Sequence, residues 1–399
     1  MFYIRYADVD NLYTEEYNGK NQQTYQVNNP DFYCPTVLAG CIPSTLTSTT
    51  PVRFIAANDL RAPYLIQSAL GVERQINRRT TLVVNVTDTR GVHQFVTNDV
   101  SPPGPAELFQ FQSDGLLKQT QVITRVNSQL GNRVSVSGAY IWGTAHSNTD
   151  GALCPSSVGC GTSTPVNPYD LSAEWSRAAL DVQNRAFIFG SVSAPWKIQL
   201  NPFVVAQSGA PFNITTGGFY DFDGIPDGVF NARPAFYTGS CTGIYKQTSY
   251  GCLNPEPVAG ETLIPRNLGN GPAMVSLNLR LSRTWGFGTT KFAGSSGGSR
   301  ANTGGGGPGG GPRGGGGFGG FGGGGRGGPF GGGGLTEHRY NLTLSISARN
   351  ILNHVNYGPV TGIMGSTNFL QSTGIAGGYG AEQNSTDNRR IDLQLRLQF

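Results

Sequence analysis

The last residues of the chain, NRRIDLQLRLQF, constrain its fold more than any other stretch. From position 391 to position 399 apolar and polar residues alternate without a break. Because successive side chains of a β-strand lie on opposite faces, this segment has one apolar face and one polar face. It therefore belongs to a sandwich, in which the apolar face meets a second sheet, or to a membrane barrel, in which that face meets lipid. The apolar residues are Ile391, Leu393, Leu395, Leu397 and Phe399.

The same alternation recurs upstream and predicts about ten antiparallel strands, near the length that a tilted strand needs to cross a bilayer. The predicted strands carry their apolar residues at Phe2, Ile4 and Tyr6; at Ile66, Leu70, Val72 and Ile76; at Leu82, Val84 and Val86; at Val122 and Val126; at Val134, Val136, Tyr140 and Trp142; at Leu180, Val182, Ala186, Ile188 and Val192; at Trp196, Ile198, Leu200 and Val204; at Val275, Leu277, Leu279, Leu281 and Trp285; at Tyr340, Leu342, Leu344, Ile346 and Ala348; and in the terminal segment. Short turns alternate with long polar loops along the chain. This asymmetry is typical of outer-membrane barrels, which have short periplasmic turns and long external loops. The fold class that we expect is all-β: an antiparallel transmembrane β-barrel, partial, with long external loops.

Composition agrees with a membrane barrel. Charged residues make up 13% of the chain, which is low for a soluble surface. No run of about eighteen or more apolar residues is present, so a transmembrane helix is excluded. The net charge of +4 is too diffuse to indicate nucleic-acid binding. The first residues show no signal peptide, so we expect an exported chain of this kind to lack its beginning or to be a piece of a longer protein.

The six cysteines form three close pairs in segments rich in Pro, Ser, Thr and Gly. All three pairs lie on the side of the long loops. Local pairs of this kind favour disulfides in an oxidising compartment over free thiols, although spacing alone does not fix the connectivity. A zinc site would need a closer Cys spacing with His nearby. The pairs are Cys34 with Cys41, Cys154 with Cys160, and Cys241 with Cys252.

Four aromatic residues at the short-turn ends of the strands share the apolar phase of their strands: Trp196, Trp285, Tyr340 and Phe399. Trp and Tyr at lipid-facing strand ends form an interfacial girdle in the headgroup zone. We therefore predict that these four residues form a membrane girdle. The alternative is that they close one end of a sandwich core, but a sandwich rarely needs long loops on one edge only.

A Gly-rich low-complexity segment occupies residues 288–336. Glycine buries no side chain and loses much backbone entropy on folding, so we predict a disordered insertion in place of a short turn. An RGG-like nucleic-acid segment is the alternative. Because Arg300, Arg313 and Arg326 do not form a repeated unit, we expect no nucleic-acid partner.

The sequence contains no GxSxG, HExxH, P-loop or dinucleotide fingerprint, and its four histidines are scattered. We therefore expect no catalytic residue, no cofactor and no enzymatic activity. One acidic loop around Gly224, with Asp221, Asp223 and Asp227, has oxygen ligands spaced as in a calcium loop. The later Glu of an EF-hand is absent, and Asp and Gly in simple turns are the alternative.

Several stretches resemble TonB-dependent outer-membrane receptors, especially the Oar-like group with an N-terminal carboxypeptidase-regulatory-like domain. The stretches are Ser208-Gly209-Ala210-Pro211-Phe212, Asn231-Ala232-Arg233-Pro234, Pro265-Arg266-Asn267, Ala348-Arg349-Asn350-Ile351-Leu352-Asn353-His354 with Asn356, the terminal RRIDLQLRLQF and, less specifically, Gly71-Val72-Glu73-Arg74 and Trp175 to Arg185. The resemblance implies that residues 1–399 form the C-terminal part of a receptor barrel in the cell outer membrane. It also implies an unknown ligand at the external loops, and Phe399 resembles the signal that the barrel-assembly machinery reads.

The plug and the TonB-contacting segment of the family are not visible in this sequence. The resemblance therefore predicts the later portion of a receptor, or a truncated or split gene product, that would reach TonB only through N-terminal parts missing here. We expect ligand binding and uptake across the outer membrane, with outer-membrane lipid around the barrel. The first alternative is a structural or adhesive outer-membrane barrel without transport. The second is a soluble secreted β-sandwich that binds carbohydrate.

Overall fold

A computed structural model describes residues 53–100, 108–149, 165–166, 170–217, 233–258, 260–290, 336, 338–376 and 388–399, with the backbone of short strands at 25–26, 47–48, 219–220 and 229–230. Within these residues the helices are two 3-10 turns, Leu171–Glu174 and Pro195–Lys197. Neither turn has the length or the apolar character that a membrane-crossing helix needs. The described chain is otherwise built from strands.

Nine long strands form the main sheet. They are β1 (Tyr64–Asn77), β2 (Thr80–Asp99), β3 (Leu108–Gln129), β4 (Val134–Ser147), β5 (Asn184–Ala194), β6 (Ile198–Gln207), β7 (Met274–Thr290), β8 (His338–Arg349) and β9 (Arg390–Gln398). Each pairs antiparallel with the next along the chain, from β1 to β9. The prediction of an all-β antiparallel fold is confirmed. The predicted strand at Phe2 to Tyr6 lies outside the described residues.

Shorter strands complete the described structure. Arg53–Ala56 pairs parallel with β3, and Ser176–Arg177 pairs antiparallel with β4. Separate small sheets join Tyr25–Gln26 to Thr47–Ser48, Pro211–Phe212 to Gly269–Asn270, and Phe219–Tyr220 to Val229–Phe230. In a further small sheet the central strand Gly251–Asn254 pairs with Ala235–Phe236 on one side and with Lys246–Thr248 on the other.

Two strands begin elsewhere than the apolar pattern predicts. β3 begins at Leu108, fourteen residues before Val122, because its first half also pairs with β2. The alternation of Phe109 and Phe111 with glutamines is interrupted at Gly115-Leu116-Leu117, so it does not run on to Val122. β5 begins only at Asn184. Leu180, predicted to lie in this strand, precedes it and packs against the cluster of Leu117, Ala145 and Ala178.

The register places apolar side chains on one face of the whole sheet, which we call the outer face. Directly paired residues share a face, and one such row crosses six strands through Val134, Val192, Leu200, Leu281, Ile346 and Leu393. The opposite, inner face is mainly polar, as in the row Gln199, Ser282, Ser345 and Gln394. Within the described residues no second layer covers the outer face of β9, where Leu393 and Leu395 are 71% and 66% exposed.

The two ends of the sheet differ. Short turns join the strands at one end, which we call the turn end: residues 78–79, 130–133 and 195–197. Trp196 and Lys197 adopt left-handed backbone, each with φ of 60°, and Gly131 has φ of 83°. The connections at the opposite, loop end that join β4 to β5, β6 to β7 and β8 to β9 are long. Their described residues include 148–149, 165–166, 170–183, 208–217, 233–258, 260–273, 350–376 and 388–389.

Both edges of the sheet are unpaired in the described part of the chain, since no strand there bonds to the free side of β1 or of β9. β1 and β9 both run from the loop end to the turn end, because the strand direction reverses at each step along the sheet and β9 is an even number of steps from β1. The two edges are therefore parallel to each other.

Candidate functional site

The long connections at the loop end pack together into a folded unit, which we call the cap: residues 208–217, 233–258, 260–273 and 350–376. Its core is a cluster of Ile214, Leu253, Ile264 and Met364, each at most 1% exposed. The first three come from the connection between β6 and β7, and Met364 comes from the connection between β8 and β9. The two loops are thus joined by a common apolar core of their own.

Backbone and side-chain bonds fasten the same two loops. The Thr215 amide donates to the Gly362 carbonyl at 3.0 Å, and the Met364 amide donates to the Thr215 carbonyl at 2.8 Å. The Lys246 ammonium donates to the Met364 carbonyl and lies 5.4 Å from the centre of the Phe369 ring. These contacts fix the second loop against the first.

A disulfide joins Cys241 to Cys252 inside the cap. It links the strand Gly251–Asn254 to the chain just before the strand Lys246–Thr248. The predicted pairing is therefore found for this third cysteine pair, at the loop end of the sheet. The other four cysteines, Cys34, Cys41, Cys154 and Cys160, lie outside the described residues, so their pairing stays a prediction.

A buried ion cluster connects the cap to the connection between β4 and β5. The carboxylate of Glu174 accepts a bond from Arg233 at 2.6 Å, and the Arg266 guanidinium lies 3.6 Å from its second oxygen. All three side chains are at most 4% exposed. Glu174 also accepts the Val166 amide at 3.1 Å, and Arg266 donates to the carbonyl of Ser147, the last residue of β4.

Two buried arginines share one carboxylate in this cluster, and both burial and these neighbouring charges affect the pKa of Arg233. Burial lowers the pKa of Arg233 below its ordinary value, the nearby Glu174 raises it, and the second cation, Arg266, lowers it. Removal of one partner from a buried ion pair leaves an uncompensated charge. Glu174 therefore holds the cap in place through both arginines.

A second set of polar contacts ties the connection between β4 and β5 to the sheet end. Asp181 accepts the Ala145 amide at 2.8 Å and the Arg177 guanidinium at 2.8 Å. Arg177 in turn donates to the Asn270 side chain at 2.7 Å, and its carbonyl accepts from Asn267 at 2.8 Å. The segment from Glu174 to Asp181 thus bridges the end of β4 and the cap.

The Asn-rich segment after β8 has a structural role in the same region. Asn350 and Asn353 adopt left-handed backbone, with φ of 45° and 52°, which Asn tolerates better than most residues. The Asn350 amide donates to the side chain of Asn278, and its own side chain donates to the His354 carbonyl, both at 2.8 Å. Asn356 accepts the Val275 amide at 2.8 Å. This segment attaches the last loop to β7.

An apolar patch lies on the inner face beneath the cap. Ile141, Phe187, Val205 and Met274 are buried there, and Ala376, from the last loop, packs against them. The inner face is therefore mainly polar and carries this apolar patch near the loop end of β4 to β7.

The predicted girdle residues lie at the turn end. Trp196 is 77% exposed, and Tyr340 and Phe399 are exposed as well. Trp285 is half-buried next to Leu342, with the Arg283 guanidinium 4.9 Å from its ring. Exposure at this end does not itself demonstrate contact with lipid, so membrane contact of the four residues stays a prediction. The calcium candidates, Asp221, Asp223 and Asp227, and residues 291–335 of the Gly-rich segment lie outside the described residues.

The fold brings together residues that belong to separate motifs in the sequence. Arg233 and Arg266, from two distant motifs, meet at Glu174, which the sequence analysis did not single out. The signal that could have found Glu174 is its isolation: it is the only acidic residue between Asp170 and Asp181.

Comparison with known proteins places the chain by family. A family model described as an outer membrane beta barrel domain matches residues 1–293. No curated protein matches the chain. One solved structure that it resembles is the crystal structure of the outer membrane transporter YddB from Escherichia coli, with 12% sequence identity and a TM-score of 0.42, over 88% of this chain and 34% of that one. The chain thus spans about a third of the length of that transporter.

Proposed function

Because the chain belongs to the family of outer membrane β-barrel domains, and so to the outer membrane, we propose that it is the later part of the barrel of a TonB-dependent receptor. In this proposal the cap binds a ligand outside the cell, and the polar inner face lines the route by which the ligand enters. The chain catalyses no reaction. The observation that carries the proposal is the cap, a folded unit with its own core that lies at the loop end of a sheet with one polar face.

The inner face supports a solute route. Its rows are rich in Ser, Thr, Asn and Gln, and Arg280 lies among them and donates to Ser345 at 3.2 Å. A polar interior is typical of outer-membrane barrels with an aqueous lumen.

The two unpaired edges support a larger barrel. Backbone groups of an open edge cannot be left unsatisfied in lipid. Since β1 and β9 are parallel to each other, antiparallel closure requires an odd number of further strands. The predicted strand at Phe2 to Tyr6 would supply one, and it would run antiparallel to both edges. Strands of further receptor segments would supply others, and TonB would act through such segments.

Uptake tests the proposal. Cells that express the complete receptor gene would be given a panel of isotopically labelled solutes, with and without TonB. We expect at least one solute to accumulate inside the cells only when TonB is present. If a solute binds at the cell surface without entering, and loss of TonB does not change this binding, the adhesive alternative is favoured. The packed cap is the observation that supports that alternative.

A further inference from the structure

A row of basic side chains lines the turn end of the sheet. It consists of residues on the outer face near that end, residues in the turns themselves, and Arg339 at the start of β8 beside Tyr340, and we call it the basic row. Its members are Arg74, Arg78, Arg79, Arg133, Lys197, Arg283 and Arg339. All are exposed except Arg283, which is half-buried. Seven cations therefore lie along one rim of the sheet.

Backbone pairing makes the row continuous. The Gln129 amide, at the end of β3, donates to the Arg79 carbonyl at 2.9 Å. The Ser193 amide, in β5, donates to the Arg133 carbonyl at 2.7 Å. Arg283 pairs with Ile198, the residue after Lys197. Successive hairpin turns lie two strands apart, which is about 10 Å, so the cations are distributed along the rim rather than gathered at one point.

Within the described residues, no acidic side chain pairs with the row. Among the described residues the acidic side chain nearest to this end is Glu73, which lies on the inner face in the row of Val83 and Arg125. None of the seven forms an ion pair within the described part of the chain. The outer face near the loop end differs, since Arg90 lies 3.4 Å from Asp88 there and Asp88 also accepts Thr120 at 3.0 Å.

Aromatic rings are interleaved with the cations. The Arg283 guanidinium lies 4.9 Å from the Trp285 ring, and that of Arg339 lies 5.5 Å from the Tyr340 ring. Trp196 directly precedes Lys197. Aromatic residues at the end of an apolar face lie at headgroup depth, and long basic side chains beside them extend toward the headgroups. Cations beside such a girdle would lie at the depth of lipid phosphates.

We propose that the basic row binds the phosphate groups of anionic glycerophospholipids around the turn end of the barrel. Basic side chains beside a membrane each add about 1 kcal/mol of attraction to an anionic surface, which is roughly fivefold in binding. An acidic protein or a nucleic acid fits less well, because the rings among the cations belong to the lipid-facing surface. The proposal depends on the membrane location and not on ligand uptake, so either can fail alone.

Tryptophan quenching by lipids with brominated acyl chains tests the proposal on the full chain in detergent micelles. The protein would be titrated with brominated phosphatidylglycerol and, separately, with brominated phosphatidylcholine. We expect tighter binding of phosphatidylglycerol by roughly tenfold or more, and loss of that preference at high salt, because salt screens exposed charges. Lipopolysaccharide, the other source of lipid phosphates, would compete less well.

Matched variants locate the effect. Replacement of four members of the row together (R78Q, R79Q, R133Q and K197Q) should abolish the preference. The charge-conserving set R78K, R79K and R133K should retain it, which separates loss of charge from loss of folding. The loop-end pair R90Q and K118Q should leave it unchanged. Equal binding of the two lipids, an equal loss in the loop-end variant, or stronger competition by lipopolysaccharide would overturn the proposal.

Discussion

The cap and the outer face of the sheet use the same apolar residue types in opposite environments. Leu253 and Ile264 in the cap are 0% exposed, whereas Leu393 and Leu395 in β9 are more than half exposed. Burial of an apolar side chain away from water contributes about 1.5 to 3 kcal/mol. The cap obtains this from its own core, and we expect the outer face to obtain it from lipid. The two regions should therefore respond differently to the removal of a membrane.

The largest loss of stability should come from Glu174→Ala, which should unfold the cap and leave the sheet intact. Two buried arginines would lose their shared carboxylate, at a cost of about 3 to 5 kcal/mol. Limited proteolysis in lipid should then cleave the cap while the strands stay protected. Glu256→Ala, which removes an exposed carboxylate of the cap, is the control. Equal protease resistance of the two variants would show that the ion cluster does not hold the cap.

The next largest loss of stability should occur in the sheet and not in the cap. Leu395→Arg places a charge on the outer face, where an arginine near the centre of the bilayer costs about 2 to 4 kcal/mol. Gln394→Arg places the same charge one residue away, on the inner face, and should cost little. Denaturant titration of the protein in vesicles would measure both. Equal losses in the two variants would contradict a lipid-facing side.

A somewhat smaller effect should follow joint replacement of Cys241 and Cys252 by Ser. The disulfide closes a loop with a sequence separation of 11, and its loss should lower the stability of the cap by about 2 to 3 kcal/mol. Amides of the strand Lys246–Thr248 should exchange faster with solvent, while those of β9 stay unchanged. Ser240→Ala is the control next to the bond. Unchanged amide exchange of this strand in the double variant would show that the disulfide does not stabilise the cap.

The smallest effect should appear at acidic pH near the 3-10 turn Leu171–Glu174. Asp170 accepts the amide and the hydroxyl of Ser172, and these two bonds lower the pKa of Asp170 below its ordinary value near 3.8. The bonds therefore stabilise the turn at pH values above the unfolded pKa and are lost as the pH falls through the lowered value. Exchange of the Ser172 amide would show this, and an Asp170→Asn variant should not show the same pH dependence.

The apolar pattern predicts the sheet where lipid requires alternation and fails elsewhere. β9 and the second half of β3 were predicted because one face must be apolar in a membrane. The first half of β3, from Leu108 onward, pairs with β2 as well. Its alternation covers only Phe109 to Gln112 and is broken at Leu116-Leu117, so the pattern does not mark one continuous strand. Strand pairing by backbone bonds continues beyond the region in which the pattern is visible.

The cap could be predicted only in part. Its disulfide follows from the local spacing of Cys241 and Cys252, and the Asn residues after β8 mark a left-handed turn. The ion cluster could not be predicted, because Glu174 and Arg266 are brought together by the fold across a long sequence separation. Spacing in one sequence gives no information on such a pair.

Contact between lipid and alternate residues of β9 is the central claim, and spin labels test it directly. Single cysteines would be placed at each position from 391 to 398, in a background whose native cysteines are serine, and labelled in vesicles. The odd positions should be accessible to oxygen, which concentrates in lipid, and the even positions to a water-soluble nickel complex. Loss of this alternation, or labels at Leu393, Leu395 and Leu397 that are immobilised by protein contacts, would contradict the account.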